Sequence, residues 1–150
     1  MRNKLAQDLI KANSRLLKAV DLMSDKELVD KWSKKEILAH ITGWYEEGVD
    51  ATPKILSGEK PNSFRLSVNS YNKRSVEKRK NKSTENIIEE MKNLHKKWIE
   101  QVKKLNEDQI TSFYGTKLGK KQINLLWMIN EAISHDNAHA NELEMKFKKH

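Results

Sequence analysis

Apolar residues recur three and four positions apart through nearly the whole chain, and that period commits it to helices. Leu5, Leu9, Ala12, Leu16 and Val20 form one stripe, which predicts a first helix ending near residues 21–23. Ile37, His40, Ile41, Trp44, Gly48, Ala51 and Ile55 share a broad face of a second helix, over about residues 34–57. Ile87, Met91, Leu94, Trp98, Val102 and Leu105 mark a third. Leu125, Ile129, Ala132, Asp136, Ala140 and Leu143 mark a fourth, over about residues 122–147. The start signals agree with the stripes. Ser33-Lys34-Lys35-Glu36 reads as a capping box before the second helix, and Ser83 as the cap of the third. Ser24-Asp25-Lys26-Glu27 reads as a capping box that opens a short turn. Pro53 has no backbone donor, so it is where the second helix would kink or stop early.

The links are long. Residues 58–70 are loop-like, punctuated by Gly58 and Pro61, and a polar, partly helical stretch follows over 67–82. Residues 106–110 turn the chain. Residues 111–121, with Gly115 and Gly119, form a second loop with room for a short hairpin. The expected fold is therefore all-α: four helices of bundle length in a single domain over 1–150, with long connections after helices two and three. Such connections in a small bundle point to a site at one end.

Composition excludes several classes. With no cysteine there is no disulfide scaffold, no Cys-type zinc finger and no thiol chemistry by the protein itself. Two Pro and five Gly argue against collagen, disorder and a turn-rich β-sandwich. No apolar run approaches the roughly 20 residues a membrane span needs. The N-terminal segment is charged from its first turn, without the apolar core of a signal peptide, so the cytoplasm is the expected compartment. The formal net charge is +8, but only five of the 29 basic residues are Arg, and a Lys-rich surface reads first as a solvated one. Residues 65–82 hold seven basic residues against Glu77 alone. That segment is a solvated face, or a rim that attracts an anionic small substrate. Nucleic-acid binding is the weakest reading: Tyr71 is the one aromatic in the run, and no helix-turn-helix spacing or zinc module is present.

Three of the five histidines are candidates for chemistry. His150 is terminal, and His95 sits beside Lys96 and Lys97 on what reads as the charged side of its helix. His135 and His139 are four residues apart, so both imidazoles share one helical face and can chelate one ion; two half-exposed surface histidines would look the same. His40 lies inside an apolar stripe, where a hydrogen-bonded core histidine is the common case. Gly43 removes bulk on the adjacent turn, and Glu47 is roughly aligned two turns along, which together suggest an opening beside the imidazole. Were helices two and four neighbours, His40, His135 and His139 would form a facial set of three nitrogens with open positions, the arrangement of a catalytic metal. Imidazole donors suit Zn, Ni, Fe or Cu rather than Mg or Ca.

WSKKEILAHITGWYEE, residues 32–47, resembles the helix-two signature of the DinB/YfiT-like superfamily. SHDNAHANELE, residues 134–144, resembles its helix-four signature, and LSGEKPNSF and VNSYNKRSVEKR resemble the linker that follows helix two in many members. The resemblance implies an antiparallel four-helix bundle, often a homodimer. It implies a divalent metal, Zn, Ni or Fe, held by His40, His135 and His139. It further implies either hydrolysis or a transferase or isomerase reaction that uses a low-molecular-weight thiol, with a small molecule as substrate. A non-catalytic bundle that sequesters a metal or ligand would carry the same histidines. Around the metal the candidates are Trp44, Glu47, Glu131, Asp136, Tyr71 and Asn72. Glu131 stands one turn before His135, and Asp136 stands beside it in sequence; either would orient a ligand or remain a solvated acid. Glu47 is a candidate base, although with Glu46 and Asp50 it equally makes a polar helix face. Trp44 would wall a pocket or pack in the core.

Overall fold

Side-chain caps set where three of the four long helices begin in the computed structural model, which describes residues 1–148. Helix α1 spans Arg2–Val20. A tight hairpin, β1 (Leu28–Val29) with β2 (Trp32–Ser33), leads into α2, Lys34–Leu56. At the start of α2 the Ser33 hydroxyl accepts from the Glu36 amide, and the Glu36 carboxylate accepts from the Ser33 amide. A 3-10 turn at Asn62–Arg65 precedes α3, Val68–Lys78, which Ser67 caps. Ser83 caps α4, Thr84–Lys103. Helix α5, Glu107–Thr111, carries its own capping box from Asn106 and Gln109. A second hairpin, β3 (Lys117–Leu118) with β4 (Lys121–Gln122), and the Asn124 cap then lead into α6, Leu125–Phe147.

The expected all-α bundle is observed, and the pairwise contacts define its helix directions. Along α2 and α4 the contacts climb together: Lys35 bonds the Lys80 carbonyl just ahead of α4, Glu46 reaches toward Glu90 through Arg79, and the Val49 carbonyl accepts from Gln101. These two helices run parallel. Along α1 and α4 the contacts run in opposite senses, with Arg2 bonding Leu105 and Asn13 meeting Met91. Along α2 and α6 they oppose again, since His40 meets His139 and Tyr45 meets Asp136. Antiparallel packing therefore holds for two neighbouring pairs and not for α2 with α4. A parallel neighbour requires the chain to travel back along the bundle. Residues 57–83, with α3 inside them, make that return, which explains the long connection after helix two.

One core runs the length of the bundle. Leu9, Leu16, Leu38, Ile41, Ile55, Met91, Trp98, Leu125 and Ile129 are essentially without solvent contact. Two glycines of α2 permit close approach. A β-carbon at Gly48 would fall 2.7 Å from the Trp98 ring of α4, and one at Gly43 would overlap Ser75 of α3. Gly43 therefore seats α3 and opens no space beside His40.

Several local expectations change. Helix α1 ends at Val20, and residues 21–27 form turns in which only the Glu27 carboxylate, bonded to the Ser24 amide, completes its half of the box. Pro53 lies in the last turn of α2 without ending it. The Val49 carbonyl that a residue-53 amide would have bonded is taken by Gln101. Residues 106–110 fold into α5 rather than a plain turn, and the fourth long helix starts at Leu125, because residues 117–122 form the second hairpin. No described helix is long and apolar enough to cross a membrane.

Candidate metal centre

Helix α2 supplies His40, and α6, packed against it in the opposite direction, supplies His135 and His139 one turn apart. The Nε2 atoms of His40 and His139 are 3.2 Å apart, and those of His139 and His135 are 3.0 Å apart. The three rings stand nearly at right angles to one another, with interplanar angles of 73°, 86° and 88°. Hydrogen bonds among themselves cannot satisfy this arrangement. A ring nitrogen either donates or accepts, so the His139 Nε2 can offer at most one proton to two neighbours.

The donor set fits a transition-metal ion. Two ligand atoms about 2.0–2.1 Å from one ion, at angles between octahedral and tetrahedral, lie roughly 2.9–3.4 Å apart, and the separations of 3.2 Å and 3.0 Å fall in that interval. Among the described residues this is the one group of three or more His, Asp or Glu side chains able to share an ion.

The surroundings keep His40 and His139 in the neutral, lone-pair form. Burial, reinforced by the charges that His139 and His135 would carry, pushes His40 down to about 3. Burial, then His135, pushes His139 down to about 4 against the opposing Asp136 carboxylate. The Trp32 ring packs edge-on against His40 at 4.9 Å. The His40 Nδ1 is buried near the Glu36 and Ile37 carbonyls but reaches hydrogen-bond geometry with neither. His135 is the outermost of the three, its side chain 37% exposed, and marks the open side.

The other candidates separate into those beside the histidines and those elsewhere. Trp44 lies 6.2 Å from the His135 ring and 4.5 Å from Tyr71. Asn72 accepts from the Trp44 indole at 2.7 Å, and the Tyr71 hydroxyl donates to the Gly43 carbonyl at 2.7 Å, so both α3 residues hold the wall that faces His135. Asp136 is 2% exposed and points into the bundle. It accepts from the Tyr45 hydroxyl at 2.5 Å, and Tyr45 in turn accepts from Asn13 at 2.9 Å. Its other oxygen is 3.9 Å from the His135 Nδ1, beyond a hydrogen bond. Asp136 is therefore anchored to Tyr45 and is neither a solvated acid nor a direct partner of His135. Burial, then that carboxylate, raises the Tyr45 phenol far above its usual range.

Two candidates fall outside the site. Glu47 is buried, but its carboxylate is bonded to the Ser63 amide in the turn before α3, away from the imidazoles. Glu131 is exposed and bonds no other described residue. His95 also differs from its expectation. It is not on the charged surface but packed 5.3 Å from the Tyr45 ring, with its Nε2 3.3 Å from the Leu9 carbonyl, and burial lowers its pKa. His150 lies outside the described residues.

Trp32, Tyr45 and Asn13 are site supports that sequence reasoning did not single out. Asn13 did leave a trace, as a polar residue beside the Leu9–Ala12–Leu16 stripe. The basic run over 65–82 is partly neutralised within the fold. Arg79 is buried between Glu46 and Glu90, Lys78 pairs with Glu46, Lys80 with Glu77 and Lys82 with Glu90.

Fold and site together define a class: an all-α bundle carrying a facial group of three histidines from two antiparallel helices. The chain belongs to the DinB superfamily, whose family model matches residues 8–143. No curated protein and no solved structure matches it significantly.

Proposed function

We propose that the protein is a divalent-metal-dependent enzyme acting on a small molecule, either a hydrolase or a transferase using a low-molecular-weight thiol. The observation that carries this reading is that three imidazoles bring ligand atoms within 4.8 Å of one another, the His139 Nε2 lying 3.2 Å and 3.0 Å from those of His40 and His135, with His40 and His139 held neutral. His40, His135 and His139 would hold the ion, and imidazole donors favour Zn, Ni or Fe. Bound there, it would supply Lewis acidity, lowering the pKa of a water or thiol brought to it.

The chain's own residues do the rest. Trp32 and the burial of His40 keep water from the inner side, and the exposed His135 edge leaves one side open to substrate. Trp44, fixed by Asn72 and Tyr71, walls that opening with an apolar face. Without a cysteine, any thiol in the reaction is imported. The partners of this reading are a small substrate and a second copy of the chain as a homodimer, in the cytoplasm. A non-catalytic metal-binding bundle is the second reading, favoured because the described residues place no unpaired acid or base beside the histidines: Asp136 is bonded to Tyr45 and Glu47 to Ser63. Nucleic-acid binding stays the weakest reading: Lys78, Arg79, Lys80 and Lys82 of the basic run pair within the fold, while Arg65, Lys73 and Arg74 form no ion pair among the described residues.

Cobalt-loaded protein titrated with cysteine tests the thiol arm. A thiolate-to-cobalt charge-transfer band that saturates is expected for the transferase reading. No band, together with turnover of simple esters or amides, selects hydrolysis. Neither band nor turnover selects the non-catalytic bundle.

A further inference from the structure

A cleft of about 280 Å³ lies between α2, α3 and the 3-10 turn. Tyr71 lines it, and Trp44 stands between Tyr71 and His135, so it neighbours the histidine site without being part of it. Its floor contains polar side chains that folding has almost removed from solvent. Glu47 is 5% exposed and Ser75 4% exposed. The Ser75 hydroxyl makes no hydrogen bond among the described residues, and Glu47 uses one oxygen on the Ser63 amide, leaving the other without a partner. Neither atom is sealed from solvent, the sealed side-chain atoms without a partner among the described residues being the His40 Nδ1 and the Gln101 Oε1, so both can be reached from the cleft.

The charges are sorted by depth. Glu46, Lys78 and Arg79 are bound up in ion pairs with one another and with Glu90. That leaves Glu47 and Asp50 on one side and Arg65 and Arg74 on the other, none of which forms an ion pair among the described residues. The field at the floor is negative. Burial, then the Glu47 and Glu46 carboxylates, with Asp50 adding to them and Arg79 opposing, drive the Tyr71 phenol well above its usual range. Arg65 and Arg74 are exposed and form the rim. The carboxylates do not converge on a point where one metal ion could sit, the three histidines being the only such group among the described residues.

We propose that this cleft binds a small zwitterion of amino-acid to dipeptide size, its ammonium on Glu47 and Asp50 and its carboxylate on Arg74 and Arg65. An ammonium donates to the buried Glu47 carboxylate, to the exposed Asp50 carboxylate beside it and to the Ser75 hydroxyl, while a guanidinium fork matches a carboxylate. Two unpaired charges of each sign fit a ligand that carries both and is neutral overall. The volume lies near the low end of small-molecule pockets.

The inference does not rest on the metal reading. Isotope-labelled protein is titrated by NMR with L-alanyl-L-alanine, with its N-acetylated form and with its C-terminal amide. The free dipeptide is expected to bind saturably, shifting Tyr71 and Ser75. Each blocked form is expected to bind about tenfold more weakly or worse. Asp50→Asn and Arg74→Gln, both at exposed positions that leave the fold intact, should each weaken the free dipeptide by about tenfold. Glu47→Gln, which still accepts from Ser63, should do the same. Absence of saturable binding overturns the proposal. So does an acetylated form that binds as tightly as the free one, which would make the cleft a simple anion site. So does wild-type affinity in all three variants. Metal content measured on the same samples keeps a failure here distinct from a failure of the histidine site.

Discussion

Helix α2 buries ionisable groups at two places, and the two are built on opposite principles. On the side of α3 and α4, Arg79 has no solvent contact, yet every direction of its guanidinium is answered: Glu90 by a bidentate pair, Glu46 by a third contact and the Ser75 carbonyl by a fourth. On the side of α6, three imidazoles face one another through a His139 Nε2 that can serve only one of its two contacts, and the His40 Nδ1 has no partner among the described residues. A saturated network locks elements together, here docking α3 onto the bundle. An unsaturated one made of neutral donors is poised for a ligand. The same helix therefore carries a fastener and a receptor.

The fastener should show the largest stability effect. Arg79→Ala removes the shared partner of two carboxylates and is expected to cost about 3–5 kcal/mol in urea unfolding. A loss under about 1 kcal/mol would mean that Arg79 is not what holds α3.

The receptor should instead respond to pH. His40 and His139 have folded-state pKa values pushed below the unfolded value of 6.5. Between about pH 6.5 and pH 4 the unfolded chain binds more protons than the folded one, so metal-free stability falls as pH falls, by up to about 1.4 kcal/mol per unit for each histidine. His40→Gln and His139→Gln should each flatten that slope in melting curves, and Arg79→Ala should leave it unchanged.

Tyr45→Phe is expected to be the smallest of the three, at about 1–3 kcal/mol, because it leaves the buried Asp136 short of a donor. Thermal unfolding at neutral pH measures it. If Asp136 instead reoriented toward His135, the same variant would alter metal affinity while sparing stability.

Much of this contrast could be read before folding was considered. Stripes at helical spacing, with the Ser33 and Ser83 caps, located the long helices, and the i, i+4 pair with His40 located the candidate receptor, because these signals are local or periodic. The fastener left no local trace. Arg79 sits in a run of basic residues, and only the return of α3 against α2 turns one of them inward. Gly43 misled for the same reason, since the space it leaves is filled by Ser75, 32 residues away. The hairpin between α1 and α2 was invisible because each strand is two residues long. Its clearest signal is Asp30, which adopts a φ of 55°, a left-handed conformation that Asp tolerates better than most residues. Glu47 pointed toward His40 by helical spacing alone, but the Ser63 amide claims it.

The central claim is that His40, His135 and His139 are one receptor for one divalent ion. Elemental analysis of protein purified without a metal-affinity step, followed by titration of the stripped protein with Ni or Zn under thermal melting, tests it most directly. The account predicts about one ion per chain and a melting temperature that rises with added metal, as binding to the folded state alone requires. Both should be lost in His40→Ala and His139→Ala. A protein that carries no divalent metal and whose melting temperature ignores Ni and Zn would contradict it.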